Sequence, residues 1–306
     1  MQGNGNMIKR FLWAAMTIIA ALSVSGCCFC LLPTGSDASQ RVVSSISAGP
    51  VQRKTHQVDL DGATEAKVIV HFGGGTLEVK PGGDQLLDGE FVYNLDDLEP
   101  RIEYQAARGR GELLVRHRAD RIRWDPNVEV RNEWRLEFGQ RVPLDMSFDV
   151  GVSSGTIDLS GLPTTDLDIV AGAADMTIRF DQPNSEQLDT FSVHSGAARL
   201  SLLYLGNANM DDLRFDGGLG TYTFDFRGEW QRSAKVHILA GASQVVLRVP
   251  QDIGVRICPG NVRRGDYDGL VERGDCYVNE LYDHADIQLD VDLDLGLGQL
   301  QINQVN

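Results

Sequence analysis

The stretch Leu167-Asp-Ile-Val-Ala-Gly172-Ala-Ala-Asp-Met-Thr-Ile-Arg-Phe180 decides the fold, because the chain writes it again as Phe191-Ser-Val-His-Ser-Gly196-Ala-Ala-Arg-Leu-Ser-Leu-Leu-Tyr204. Both place apolar residues five and three positions before a glycine, and four, six and eight after it. With Gly151, Gly172, Gly196, Gly218, Gly241 and Gly296 as anchors, the earlier pair reads Met146/Phe148, Leu167/Ile169, Phe191/Val193, Leu213/Phe215, Val236/Ile238 and Val291/Leu293. The later triplet fails only at Gly155 and Gln304. In all, 28 of 30 positions are apolar, where the 42% hydrophobic composition gives about 13.

Alternation with period two on both sides of the glycine predicts two short strands, each turning one face inward, with the glycine at the turn between them. Successive anchors lie 21, 24, 22 and 23 residues apart and then 55, which reads as rungs of about 22 residues plus one insertion. A single unit cannot bury its own apolar face, so copies must stack. Val68, Val70, Gly73, Leu77 and Val79 carry the pattern upstream, and Ile102, Tyr104, Gly109, Leu113 and Val115 repeat it loosely. The expected fold is therefore all-β, a stacked parallel β-solenoid of ~22-residue rungs. A β domain at 55–142 precedes the repeat region at 143–306. In this reading Ile178, Leu202, Phe224 and Leu247 stack inward, whereas Asp225 points outward and its removal changes little. A leucine-rich repeat is set aside, because it needs an asparagine ladder and a helical return segment, and neither is present. A calcium-binding glycine solenoid is set aside too, because Gly217-Gly-Leu-Gly-Thr-Tyr222 has tyrosine where the carboxylate ligand belongs.

The 306 residues include 33 glycines, and Asp+Glu outnumber Lys+Arg by 43 to 28, a formal charge of −15. Such a surface repels nucleic-acid phosphates, so no nucleic-acid partner is expected. Lys9 and Arg10 precede an apolar run at 11–24 that Ser25-Gly26-Cys27 follows, so that the run's end and the cysteine read Leu22-Ser-Val-Ser-Gly-Cys27. That arrangement resembles a bacterial lipoprotein signal. The resemblance implies a signal peptide at 1–26, diacylglycerol on Cys27 and a membrane tether at 27–54, with residues 33–50 rich in Ser, Gly, Ala and Thr. The alternative is an uncleaved anchor, since 11–32 is long enough to span a bilayer. Either way the bulk of the chain faces outside the cytoplasm, and cleavage moves the charge to −17.

Cys27, Cys28 and Cys30 crowd the membrane end, and Cys258 and Cys276 stand alone within the insertion. In an exported domain the isolated pair reads as a disulfide, with two independent buried thiols as the alternative. No Cys or His spacing matches a structural zinc site, and the six histidines are scattered. No cofactor is expected.

Two charged runs are candidate sites. Asp290, Asp292 and Asp294, with Asp286 before them, alternate with Val291 and Leu293. Calcium ligation and a solvated outer face are the two readings, but a calcium loop needs glycine and glutamate where Leu295 and Gln301 stand. Arg108, Arg110, Arg116, Arg118, Arg121 and Arg123 form a possible anion-binding patch for an envelope polymer or lipid headgroups. The alternative there is the wet side of a hairpin.

The stretch His71-Phe-Gly-Gly-Gly-Thr-Leu-Glu-Val79, with residues 86–93, Pro100-Arg-Ile-Glu-Tyr104 and Gly111-Glu-Leu-Leu-Val115, resembles the toast-rack N-terminal domain of bacterial envelope proteins. The later rungs and Leu295-Gly-Leu-Gly-Gln-Leu-Gln-Ile302 are similar to β-solenoid domains of adhesin-type and cell-wall-antibiotic-response proteins. The expected function is a non-catalytic, lipid-anchored envelope protein that presents a solenoid surface for binding, scaffolding or adhesion. Its expected partners are the membrane and an envelope protein or anionic polymer. The alternative is an envelope polysaccharide-processing enzyme, which requires arginine, lysine and paired carboxylates to meet in one groove.

Overall fold

A computed structural model describes residues 48–119, 129–260, 267 and 269–305. Among them the regular structure is β-strand, apart from short 3₁₀ turns at Asp96–Leu98 and Leu205–Ala208. The described residues are all-β, as their alternation requires.

The repeats form β7 (Leu144–Asp158), β8 (Thr164–Arg179), β9 (Thr190–Leu203), β10 (Asp212–Asp225), β11 (Ala234–Pro250) and β15 (Gln288–Val305). Neighbours in this series pair in parallel, with Phe148↔Ile169, Ile169↔Val193, Val193↔Phe215, Phe215↔Ile238 and Ile238↔Leu293 in register. Each of these residues stands three before its anchor glycine. The alignment read from the sequence is thus the register of the sheet. Ile178, Leu202, Phe224 and Leu247 are fully buried and in register as well.

The glycine does something other than separate two strands. Each repeat is one long strand, and its inward face slips by one residue at the glycine. In β8 the buried set is Leu167, Ile169 and Ala171, then Ala174, Met176 and Ile178, with Gly172 and Ala173 exposed between. The strand bends there, so its two arms face each other. In β10, Phe215 of the first arm packs on Tyr222 and Phe224 of the second, ring centroids 4.7 and 4.9 Å apart. At Gly151, Gly196, Gly218 and Gly241 only glycine fits the bend, because stacked corners approach closely. A Cβ on Gly151 would lie 2.2 Å from the carbonyl oxygen of Gly73, and one on Gly218 would lie 2.3 Å from that of Gly196.

Return segments bury Phe180, Leu188, Leu205, Met210 and Phe226 in the same core. They also carry an asparagine arrangement that the sequence reading had set aside. Asn184 donates to the carbonyls of Thr164 and Ala208, at 2.7 and 3.2 Å, and accepts from the Thr164 amide. Asn207 links Phe180 to Glu229 in the same way. These side chains satisfy buried backbone groups where no strand ladder reaches them.

Upstream, β2 (Glu65–Pro81) is also bent. Its first arm lies between β7 and β5 (Arg110–His117), its second between β7 and β6 (Asn132–Phe138), all parallel. β3 (Leu87–Tyr93) pairs antiparallel with β6 and with β1 (Gln52–Val58). Trp134 fills this end of the core, 5.0 Å from Phe72, 5.3 Å from Phe91 and 4.5 Å from His117. The loose upstream copy is no bent strand. Ile102 and Tyr104 belong to β4 (Pro100–Ala107), Leu113 and Val115 to β5, and the two strands form an antiparallel hairpin. Arg108 and Gly109 both have positive φ, 53° and 83°, as a two-residue hairpin turn requires.

The insertion does not hang off the wall of the stack. Its strand β12 (Gly254–Pro259) pairs in parallel with the first arm of β15, so β15 lies between β11 and β12. β14 (Cys276–Val278) and β13 (Val271–Arg273) continue the sheet beyond β12.

Candidate functional site

The outward faces of the bent strands differ in chemistry. Six positions before the glycine, the first arms present Asp145, Asp166, Thr190, Asp212, Lys235 and Asp290 in adjacent strands. Histidines bridge part of this acidic face: His71 lies 3.5 Å from Asp149, His194 3.3 Å from Asp216, and His237 3.5 Å from Asp292. The second arms instead carry hydroxyl and amide groups, among them Thr156, Thr177, Ser201, Thr223 and Gln301.

Between the two faces runs an apolar ridge, which the sequence reading missed. It is built by the residue directly after each anchor glycine: Val152, Ala173, Ala197, Leu219, Ala242 and Leu297. Val152 is 71% exposed, Leu219 59% and Leu297 74%. Ladder pairs Val152↔Ala173, Ala197↔Leu219 and Ala242↔Leu297 hold the ridge in line. The signal was present as apolar residues out of phase with both inward sets, and it becomes readable only once the bend is known to expose two consecutive positions.

Asp225 corrects the expectation of a dispensable outward residue. Its side chain is wholly buried, 2.6 Å from Arg227 and 3.4 Å from Arg248. Burial pushes the carboxyl up, but hydrogen bonds from the Arg227 side chain and amide bring it below its ordinary value. Asp158 is held by Ser160 and by Arg179, the latter at 2.5 Å. Outward from the sheet is therefore not outward to solvent where arginines close over a carboxylate, Arg227 from just past the strand's own end and Arg248 and Arg179 from the next strand.

In the acidic run, Asp290 accepts from the Tyr282 hydroxyl at 2.8 Å and lies 2.9 Å from Arg256. Asp286, Asp292 and Asp294 are exposed. Among the described residues no three His, Cys, Asp or Glu side chains converge as a metal site.

Of the arginine run, Arg108, Arg110 and Arg116 lie on the β4–β5 hairpin and Arg118 directly follows it, and carboxylates meet three of these. Arg110 is 3.5 Å from Asp145, Arg116 2.9 Å from Glu103, and Arg118 3.2 Å from Glu99. Arg108 sits in the turn, and Arg121 and Arg123 lie outside the described residues. Beside the hairpin a groove of about 630 Å³ is lined by Lys67, Glu103, Tyr104, Arg110 and Glu112. Burial raises the Tyr104 pKa, and its hydroxyl donates to the Leu60 carbonyl at 2.7 Å.

Cys258 and Cys276 form a disulfide, with Cα atoms 4.1 Å apart. Cys27 and the rest of the signal lie outside the described residues. No helix among those described is long and apolar enough to cross a membrane.

The strands from β1 to β9 fall within a family model. Residues 47–203 match the N-terminal domain of toast_rack, DUF2154. The chain belongs to the toast-rack family. The match runs past residue 142, in keeping with the continuous pairing of β2 with β7. Among solved structures, this toast-rack chain is similar to a "putative cell adhesion protein" from Clostridium sporogenes, with 20% identity and a TM-score of 0.46 over 84% of this chain and 100% of that one. A "putative adhesin" from Bacteroides fragilis aligns with 11% identity and a TM-score of 0.33 over 84% and 97% of the two chains. A "putative lipid binding protein" from Parabacteroides distasonis aligns with 9% identity and a TM-score of 0.30 over 85% and 99%. No protein of curated function matches the chain.

Proposed function

We propose that this toast-rack chain is a non-catalytic, lipid-anchored component of the cell envelope, whose bent strands wind as a β-solenoid of ~22-residue rungs and present their outer faces for binding, scaffolding or adhesion. The lipid is carried on Cys27, and residues 27–54 tether the solenoid outside the cytoplasm. The observation that carries the reading is the ridge through Val152, Leu219 and Leu297. Apolar side chains exposed in one continuous line on a strongly acidic protein are the mark of a surface that meets a partner. That partner is an envelope protein with a complementary apolar groove, whereas an anionic polymer would be confined to the arginine hairpin by the acidic face elsewhere.

Two measurements test this. Mass spectrometry of the N-terminus of the mature protein is expected to find diacylglyceryl Cys27, and Cys27→Ser is expected to leave the precursor unprocessed. An unmodified N-terminus sinks the anchor. Binding of the full chain to isolated envelopes is expected to fall at least tenfold on combining Val152→Glu with Leu219→Glu, at unchanged melting temperature. Undiminished binding sinks the ridge as the contact surface.

One observation favours a second reading, an envelope polysaccharide-processing enzyme: Lys67, Arg110, Glu103 and Glu112 share the groove beside the hairpin. Arg110 and Lys67 are both turned to Asp145, which weakens it. Release of reducing ends from envelope polysaccharide, abolished by Glu103→Gln with Glu112→Gln, would replace the first reading with this one.

A further inference from the structure

Strand β15 is covered unequally. In its first arm Leu293 pairs with Ile238 on one side and with Pro259 on the other. Its second arm, residues 297–305, pairs with β11 from Leu297↔Ala242 to Val305↔Pro250, and among the described residues no strand pairs with its opposite side. Leu300 shows the consequence. It holds the position that Met176, Leu200, Tyr222 and Val245 hold deep in the core, yet it is only half-buried. The neighbouring loop reaches this arm through a side chain, Gln304, which donates to the Gly269 carbonyl at 3.0 Å.

An open strand edge is normally blunted by charge or proline, because its unpaired N–H and C=O groups template pairing with another strand. The edge strand β1 follows that rule, with Arg53, Lys54 and His56 exposed along it. The second arm of β15 does not. Residues 295–306 contain no charged side chain, in a protein that is 23% charged. Its centre, Gln299-Leu-Gln-Ile-Asn303, alternates amide and apolar residues and has the same pattern read in either direction.

We propose that this edge pairs antiparallel with the same edge of a second copy of the chain, across a twofold axis at Gln301. With the axis there, Gln301 opposes its own copy, Gln299 opposes Asn303, and Leu300 opposes Ile302. Directly opposed residues of an antiparallel pair lie on one face of the sheet. Amides therefore meet amides on the outer face, while leucine and isoleucine extend the inner one. An amide both donates and accepts, so it is able to satisfy a copy of itself. A charged side chain would repel its own copy. Two acidic chains thus meet along a stretch that brings no carboxylate side chain to the contact. The twofold arrangement uses up both edges and closes, so the unblunted strand does not lead to open-ended growth.

Sedimentation velocity of the full chain in detergent is expected to give the mass of a protein dimer. Gln301→Lys sets two ammonium groups opposite each other on the axis and is expected to halve the protein mass, as is Gln301→Glu. Mixing the two variants is expected to restore the dimer, because lysine now opposes glutamate, and that recovery shows that both variants are folded. A monomeric wild-type chain overturns the proposal. So does a Gln301→Lys chain that stays dimeric, or a mixture that stays monomeric.

Discussion

Asp225 lies 2.6 Å from Arg227 with none of its side chain exposed, although its neighbour Phe224 already fills the inward position of the same strand. Two consecutive residues are thus buried on opposite faces of β10. Phe224 is buried by the facing arm, and Asp225 by the arginines that close over it. Removal of the carboxylate by Asp225→Ala leaves Arg227 and Arg248 partly solvated, so the expected loss is about 1–3 kcal/mol. Removal of the ring by Phe224→Ala leaves a core cavity and is expected to cost about 3–5 kcal/mol. Urea unfolding of both variants checks the pair, and an unchanged Asp225→Ala chain would mean that the carboxylate is solvated.

How far the sequence carries the structure shows clearly at these two positions. Period-two alternation places Phe224 and its stacked partners Leu202 and Leu247, because apolar burial is the term that the alternation records. It is silent on Asp225, because burial there comes from Arg227, two residues on, and from Arg248 in the next strand. The same limit hid the ridge at Val152 and Leu219. Exposed apolar residues look like noise in the pattern until the phase slip at the glycine is known. It also hid the place of β12, since its pairing with β15 skips the intervening chain and leaves no periodic trace. Ile102 and Leu113 were alternating strand residues as read, but alternation does not distinguish a hairpin from a bent strand. The positive φ of Arg108 and Gly109 does.

The glycine column predicts a cost for a single methyl group. At Gly218 a Cβ would sit 2.3 Å from the Gly196 carbonyl oxygen, which is backbone and cannot rotate away. Gly218→Ala is expected to destabilise by about 1–3 kcal/mol, the usual range for forced overpacking. Alanine at Gly62, which has open space around it, carries only the strain of its positive φ. Thermal unfolding should rank Gly218→Ala as the more damaging change. The reverse order would mean that the corners are not stacked.

His117 gives the fold a dependence on pH. Its ring is 6% exposed, packs on Trp134 at 4.5 Å, and lies 3.3 Å from the Leu98 carbonyl through Nδ1. Burial lowers its pKa from 6.5 to about 4, so the folded state holds the ring neutral while the unfolded chain takes up a proton. Stability from this group is fully present above pH 6.5 and is lost as the pH falls towards 4. The loss amounts to about 3 kcal/mol. His117→Phe is expected to flatten that part of the stability profile, measured by urea unfolding at a series of pH values. An unchanged slope would assign the acid sensitivity elsewhere.

The disulfide predicts where the fold loosens first. β12 and β14 share only the pairs Arg256↔Val278 and Ile257↔Tyr277, too short a ladder to hold a layer on its own. Cys258 and Cys276 join these strands across a sequence separation of 18, and a loop of that size is worth about 3 kcal/mol when closed. Replacing both cysteines by alanine is therefore expected to release about that much stability, and to release it locally. Amide exchange should accelerate in β12 and β14 and along the first arm of β15, whose outer neighbour is β12. It should stay slow in β7, β8 and β9, which are paired in parallel on both sides and share no contact with the bridge. Uniform acceleration across the sheet would mean that the layer is not an independent unit. Unchanged exchange in β12 would mean that packing on β15 holds the layer and the bridge adds nothing.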